Sequence, residues 1–335
     1  MDIRKLGRTG YNIVSIGFGG IPIQRLEENQ AIELIQLASK EGMNFIDTAR
    51  GYEESEVLIG KGIKGQRENW IIATKSMARD YESMKKDIDI SLNNLDCGYI
   101  DLYQCHNVRS MEEYNKIMGP DGAYMALLEA KEEGKIKHIG ISSHDVNILN
   151  TVVETDDFST IQFPYNAVEK QGEELFKRAY ERNIGVIVMK PLAGGAISIA
   201  DLALRYILEN PHISVIIPGM DNPNQVLENI EVAKNFKPLN REEKERLSQL
   251  AHELGTEFCR RCGYCLPCPE GVDIPTQFLM EGYYTRYDLE NWAMNRYNAL
   301  PKKASDCIKC GKCETKCPYN LPIRKMLDNV ASLLG

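Results

Sequence analysis

Between residues 14 and 235, eight short β-rich apolar runs alternate with amphipathic helical stretches. No other feature of the chain constrains its fold as strongly. The runs occupy residues 14–18, 44–49, 70–74, 100–104, 136–141, 160–163, 185–189 and 214–217. Each is followed by a segment of helical period; in residues 30–39, Ala31, Leu34, Ile35 and Ala38 share one face. Strands that read as near-continuous apolar runs are buried on both faces, which implies a parallel sheet covered by helices. Eight such units in roughly 250 residues match a closed α/β (β/α)8 TIM barrel in number and length. A doubly wound open sheet is the alternative, although it does not usually need eight strands. Residues 3–6 and 11–13 flank Gly7-Arg8-Thr9-Gly10 and read as a small hairpin ahead of the first barrel strand.

The pattern breaks after Phe236. Residues 240–254 are polar with helical spacing, and residues 276–300 are rich in aromatics and helix formers. The boundary belongs near Gly255, giving a barrel domain over residues 1–255 and a small, mainly helical C-terminal domain over 256–335. The cysteines mark the same division: of ten, eight lie from Cys259 to Cys317, and Cys97 and Cys105 lie outside that stretch. No apolar run approaches the ~20 residues needed to cross a bilayer. The first residues lack the basic-then-apolar layout of a signal peptide. A cytoplasmic chain with no membrane partner is therefore expected, and there clustered thiols read as metal ligands rather than disulfides. Forty Lys and Arg against 48 Asp and Glu leave a net charge of −8, which argues against a nucleic-acid partner. The surplus is uneven, since residues 256–335 hold 11 basic against 9 acidic residues.

Catalytic groups in such barrels stand at the C-terminal ends of strands. Those ends present Asp47, Tyr52 just beyond it, Lys75 and His106, from the second, third and fourth strands. Charged side chains ending apolar strands are costly unless paired, so Asp47 and Lys75 are expected to form an ion pair. A tyrosine beside a desolvated ammonium has its phenolate favoured, which suits Tyr52 to proton donation near neutral pH. A neutral His106 beside it is able to hydrogen-bond a substrate carbonyl. The segments FIDTARGYEESE, IIATK and IDLYQCHN, then GISSHD, IQFPYNAVEK, MKPLAGG and VIIPGMDNPNQVLEN, resemble the aldo-keto reductase superfamily in motif, order and spacing. The resemblance covers about residues 1–235. It implies an NAD(P)-dependent oxidoreductase that reduces a small-molecule carbonyl or oxidises an alcohol. In that reading Tyr52 is the general acid, Lys75 tunes it, Asp47 holds Lys75 and His106 orients the carbonyl.

The same resemblance implies an extended nicotinamide dinucleotide across the barrel top. Ser142, Ser143 and Gln162 match its carboxamide side, and Glu228 and Asn229 its adenine side. Gly219 and Gln225 stand where NADPH-using members carry Lys and Arg. Without those cations the charge-assisted contacts that select a ribose phosphate are missing, so NADH and NADPH both stay open. Lys190, with Gly194-Gly195, is a candidate phosphate cradle near the barrel mouth. Cys97 and Cys105 read as small buried hydrophobes.

The remaining cysteines read Cys259-x2-Cys262-x2-Cys265-x2-Cys268-Pro and Cys307-x2-Cys310-x2-Cys313-x3-Cys317-Pro. Zinc is one reading, because paired Cys-x2-Cys also builds four-cysteine zinc sites, but zinc ribbons use two pairs per ion rather than four cysteines in one run. The second group resembles the bacterial two-cluster ferredoxin pattern, including the proline after its fourth cysteine. By that resemblance Cys259, Cys262, Cys265 and Cys317 hold one [4Fe-4S] cluster, and Cys268, Cys307, Cys310 and Cys313 hold the second. Arg260, Arg261, Lys309, Lys312 and Lys316 nearby offset cluster charge or face water.

Clusters move electrons singly, nicotinamides move hydride, and a flavin normally joins the two; no flavin motif is visible in the sequence, although a flavin stays open. Two classes of function follow. One is an iron–sulfur aldo-keto reductase whose clusters serve electron transfer or structure. The other is an electron-transfer protein that docks a ferredoxin or other redox partner, with a degenerate reductase barrel or a non-nicotinamide cofactor. The intact set of Asp47, Tyr52, Lys75 and His106 favours the first.

Overall fold

The strands are β1 (Ile3–Lys5), β2 (Asn12–Val14), β3 (Phe18–Gly19), β4 (Phe45–Asp47), β5 (Ile71–Ser76), β6 (Ile100–Val108), β7 (Ile136–Ser143), β8 (Thr160–Pro164), β9 (Gly185–Met189) and β10 (Val215–Ile216). This is a computed structural model, and it describes every residue except Thr256, Cys262, Asp288 and Pro318. Strands β3 to β10 form one eight-stranded sheet in sequence order, and each neighbouring pair is parallel. Its two ends meet: Ile16 bridges Ile216 and Gly19 bridges Gly219, both in parallel sense. The sheet thereby closes into the expected (β/α)8 barrel. Closure needs a glycine, because a Cβ on Gly19 would stand 2.7 Å from the Pro218 carbonyl oxygen.

One sequence run divides differently from expectation. Val14 pairs with Ile3 in the β1–β2 hairpin, and the barrel strand proper starts at Phe18. The antiparallel register Ile3–Val14, Arg4–Ile13, Lys5–Asn12 uses the backbone that a barrel strand beginning at Val14 would have needed.

The barrel interior is layered. Leu6 and Ile13 from the hairpin pack with Phe45, Ala73, Leu102, Ile187 and Val215 into one interior cluster, all 0% exposed. The hairpin thus stops the N-terminal end of the barrel. Gly7 makes this possible at φ +51°, since a Cβ there would lie 2.1 Å from the Gly185 nitrogen at the start of β9. Side chains on a strand alternate between faces. Two residues further along each strand, the inward positions are therefore Asp47, Lys75, Gln104 and Met189. An apolar floor carries a polar layer. Outside the strands a larger core joins the sheet to its helices; helix Glu28–Lys40 buries Ala31, Leu34, Ile35 and Ala38 as its spacing predicts.

The chain divides into two units. The barrel unit comprises Met1–Asn166, Lys170–Pro191 and Ala200–Leu239; the second comprises Ala167–Glu169, Leu192–Ile199 and Asn240–Gly335. The second unit is helical: Arg241–Gly255, Ile274–Arg286, Glu290–Asn298 and Ile323–Leu334, with no strand among its described residues. Val272, Ile274, Phe278, Tyr297, Leu327 and Val330 form its core together with Cys265 and Cys313. The aromatic stretch 276–300 contributes to helices Ile274–Arg286 and Glu290–Asn298, and Tyr283 and Trp292 pack edge-on with ring centroids 4.7 Å apart. Among the described residues no helix is long and apolar enough to cross a membrane.

Candidate active site and cysteine cavity

Lys75, next to last in β5, reaches across to β4. Its Nζ donates to Asp47 Oδ1 at 2.6 Å and to the Thr48 carbonyl at 2.6 Å. Gln104 Nε2 donates to Asp47 Oδ2 at 3.4 Å and to Gln162 Oε1 at 3.0 Å. Burial pushes the Asp47 carboxyl up and the Lys75 ammonium down, and each partner's opposite charge resists that shift. Two buried charges survive here because their attraction and hydrogen bonds offset desolvation.

Tyr52 lies on the turn between β4 and helix Ser55–Gly62, with Lys75 Nζ 5.2 Å from its ring centroid. That turn is held from several sides. Thr48 Oγ1 and Ser55 Oγ are hydrogen-bonded at 2.8 Å, and Ser55 Oγ donates to the Gly20 carbonyl at 2.8 Å. Behind them Glu56, fully buried, accepts from Thr74 at 2.7 Å, Ser91 at 2.8 Å, Asn94 at 3.0 Å and Arg50 at 3.0 Å. Four donors satisfy a carboxylate that would otherwise be prohibitively costly to bury.

His106 packs edge-on to Tyr52, ring centroids 5.8 Å apart and planes at 86°. It lies within an irregularity in β6, where the pairing with β7 shifts between Cys105 and Val108 and Asn107 adopts φ +50°. Such a bulge re-aims neighbouring side chains. Arg79 Nη2 fixes it by donating to the His106 carbonyl at 2.9 Å and the Asn107 carbonyl at 3.0 Å, while Glu113 holds the guanidinium at 2.8 Å. Burial and the cations Lys75, Arg79, Arg109 and Lys190 hold the imidazole well below its ordinary 6.5, so His106 is neutral at neutral pH. Its Nδ1 is buried without a hydrogen-bond partner among the described residues, as is Gln104 Oε1.

Ser142, Ser143 and Gln162 are buried at the C-terminal ends of β7 and β8. Ser142 Oγ accepts from the Asn107 amide at 2.8 Å and keeps its hydroxyl hydrogen; Ser143 Oγ donates to the Val108 carbonyl at 2.7 Å. With the unpartnered atoms on β6, these groups fit a carboxamide, which needs both donors and acceptors. Lys190 follows β9 at φ +57°. Gly219 lies after β10, and helix Pro223–Lys234 carries exposed Glu228 and buried Asn229. Gln225, instead of offering a cation, accepts from the Asp221 amide at 2.8 Å, and Arg25 pairs with the Asp221 carboxylate. Gly194 and Gly195 belong to the second unit, where Arg286 Nε donates to the Gly194 carbonyl at 3.3 Å. Cys97 and Cys105 are buried, and burial pushes the Cys105 thiol up to about 12.

In the second unit, one cavity is lined by Cys268, Cys307, Cys310 and Cys313 together with Cys265, and closed by Pro267, Val272, Ile274 and Leu327. A thiol-lined cavity with apolar walls fits an iron–sulfur cluster. Among the described residues no three His, Cys, Asp or Glu side chains converge closely enough to hold a single metal ion. Cys259 and Cys317 are half-buried and pack against the core of this unit, with the Arg261 amide donating to Cys259 Sγ at 3.4 Å; Cys262 lies outside the described residues.

The model of the Aldo/keto reductase family matches residues 15–198 and 195–252 of this chain. The chain belongs to that family. A 4Fe-4S dicluster domain matches residues 258–322, so this aldo/keto reductase carries an iron–sulfur module at its C-terminus. It is 28% identical over 303 residues to L-galactose dehydrogenase of Arabidopsis thaliana, covering 75% of this chain and 93% of that protein. It is 28% identical over 218 residues to the NADH-specific methylglyoxal reductase of Escherichia coli, covering 58% and 66%. The holo form of an aldo-keto reductase from Bacillus halodurans matches with TM-score 0.66 at 26% identity, covering 75% of this chain and 96% of that one. In this aldo/keto reductase the residues that sequence reasoning missed are Gln104, Glu56 and Arg79. Gln104 alone had a signal, two positions past the inward Leu102 on an apolar strand.

Proposed function

We propose that this aldo/keto reductase reduces the carbonyl of a small molecule to an alcohol, or runs the reverse oxidation, with Tyr52 as the proton donor. The observation that carries the proposal is the grouping of the buried Lys75–Asp47 pair, the Tyr52 ring 5.2 Å from Lys75 Nζ, and a neutral His106 edge-on to that ring. Tyr52 Oη gives its proton to the carbonyl oxygen as the adjacent carbon is reduced. Lys75 stabilises the negative charge left on the phenolic oxygen, and Asp47 keeps the ammonium in place and charged. His106 hydrogen-bonds the carbonyl oxygen and orients it.

When bound, a nicotinamide dinucleotide supplies the hydride, and the two clusters give or accept single electrons. Ser142, Ser143 and Gln162 would hold the carboxamide, Lys190 and Gly219 the phosphate-bearing stretch, and Glu228 and Asn229 the adenine end. Cys259, Cys262, Cys265 and Cys317 would ligate one cluster and Cys268, Cys307, Cys310 and Cys313 the other. The clusters serve electron exchange with a redox partner protein, and dehydrogenase and reductase names among the relatives support the carbonyl chemistry.

Tyr52→Phe tests the reading. It removes one proton donor and leaves the ring, so carbonyl turnover should be abolished while dinucleotide affinity stays near the parent value. Retention of more than about a tenth of parent turnover, a change of only ~1.4 kcal/mol, would exclude Tyr52 as the acid.

A further inference from the structure

The lining of the cysteine cavity in the second unit includes four exposed residues, Pro267, Pro269, Ile308 and Cys310. Of its lining residues, Cys310 is exposed and the neighbouring Ile308 is 61% exposed, an unusual position for a large aliphatic side chain. Lys309 between them has its side chain 61% exposed and pairs with Asp328 at 3.0 Å. Lys312 and Lys316, on the same stretch, are exposed and have no carboxylate within 4 Å among the described residues. Next to the loop, Gly311 lies against the Arg324 guanidinium, with a notional Cβ 3.7 Å from its Cζ. Lys309 and Arg324 line an open cleft of about 480 Å³ together with their own partners Asp328 and Glu314, the latter 2.7 Å from Arg324. Residues 302–335 hold seven Lys and Arg against three Asp and Glu, whereas the rest of the chain holds 33 against 45. A negatively charged protein is thus repelled by most of this chain and attracted to the cluster rim, and such a field both speeds and orients encounter.

We propose that the Cys307–Cys310 loop is the docking port for a small acidic one-electron carrier protein. Its carboxylates face Lys312 and Lys316, and its redox centre approaches over Ile308. This rests on the reading that the clusters exchange electrons. One electron leaves the carrier's reduced centre and converts [4Fe-4S]2+ to [4Fe-4S]+; no covalent bond forms or breaks.

The test uses the cluster-loaded full chain under anaerobic conditions, with reduced acidic flavodoxin as the carrier and reduced methyl viologen as a small donor that needs no docking surface. The rate of cluster reduction is followed by loss of visible absorbance. With flavodoxin the parent rate should fall about tenfold as salt rises to about 0.5 M, because the Debye length shrinks below the spacing of the paired charges. Lys312→Glu with Lys316→Glu should lower the low-salt flavodoxin rate about tenfold, leaving the viologen rate within about twofold, at unchanged iron and sulfide content. A flavodoxin rate indifferent to both salt and charge reversal, with viologen still reducing the clusters, overturns the port alone. Failure of both donors to reduce the clusters overturns the electron-transfer reading as well. If the variants lose their clusters, the salt dependence of the parent protein decides by itself.

Discussion

Lys75 Nζ stands 2.6 Å from Asp47 Oδ1, and the two side chains are only 1% and 4% exposed. Removing either partner leaves a charge in an apolar barrel. Asp47→Asn should therefore cost about 3–5 kcal/mol of barrel stability, measured by denaturant unfolding. The double variant Asp47→Asn/Lys75→Met should recover at least half of that loss, because no buried charge is left unpaired. A single-variant cost under about 1 kcal/mol would show that water reaches the pair.

The neutral His106 sets a pH dependence of stability. Burial lowers its proton affinity in the folded state, so below the ordinary 6.5 the unfolded chain binds a proton that the folded one does not. Stability contributed by this group is complete above about 6.5 and declines as pH falls toward the lowered folded value, by up to about 1.4 kcal/mol per unit. His138 is lowered too, by burial, so the parent slope contains both groups. The measurement is the difference between parent and His106→Gln unfolding curves at several pH values. A variant with the parent's slope below pH 6.5 would show that His106 is protonated in the fold.

Cofactor preference should not run strongly to NADPH. Gln225 is held on the Asp221 amide and Gly219 has no side chain at all. Gln225→Arg should raise NADPH affinity about tenfold or more, since one charge-assisted hydrogen bond contributes ~1.5–3 kcal/mol. Gly219→Lys should not help, because its Cβ would meet Pro22 Cγ at 2.7 Å. Fluorescence titration with both dinucleotides measures this. A hundredfold tighter NADPH in the parent would point to another cation, such as Lys190.

Protein isolated without oxygen should contain about eight irons and eight acid-labile sulfides, the content of two cubane clusters. Cys313→Ser removes a thiol from the cavity lined by Cys268, Cys307 and Cys310, and on the proposed ligand set should lower both contents to about half. Two zinc ions without sulfide would contradict the iron–sulfur assignment.

The barrel was legible because parallel strands are buried on both faces: Ile72, Ala73 and Thr74 read as one unbroken run, and each is 0% exposed. Asp47 and Lys75 stood out for the same reason, as charges at the ends of such runs. Glu56 did not. It opens a helix, where acids ordinarily face water and favour the helix N-terminus, and its four donors come from residues between 50 and 94 that the sequence does not mark as neighbours. Arg79 is hidden similarly, since its partners His106, Asn107 and Glu113 lie about thirty positions away.

The hairpin stopper has a consequence for protons. Leu6 and Ile13 close the barrel beneath the layer that holds Asp47, Lys75 and Gln104, so the ion pair rests on a dry floor. In the proposed reaction, a hydrogen that Tyr52 surrenders would be replaced from the opposite end, the end through which the substrate would enter. On that reading, reprotonation and substrate occupancy would compete for one doorway, and the two events would take turns.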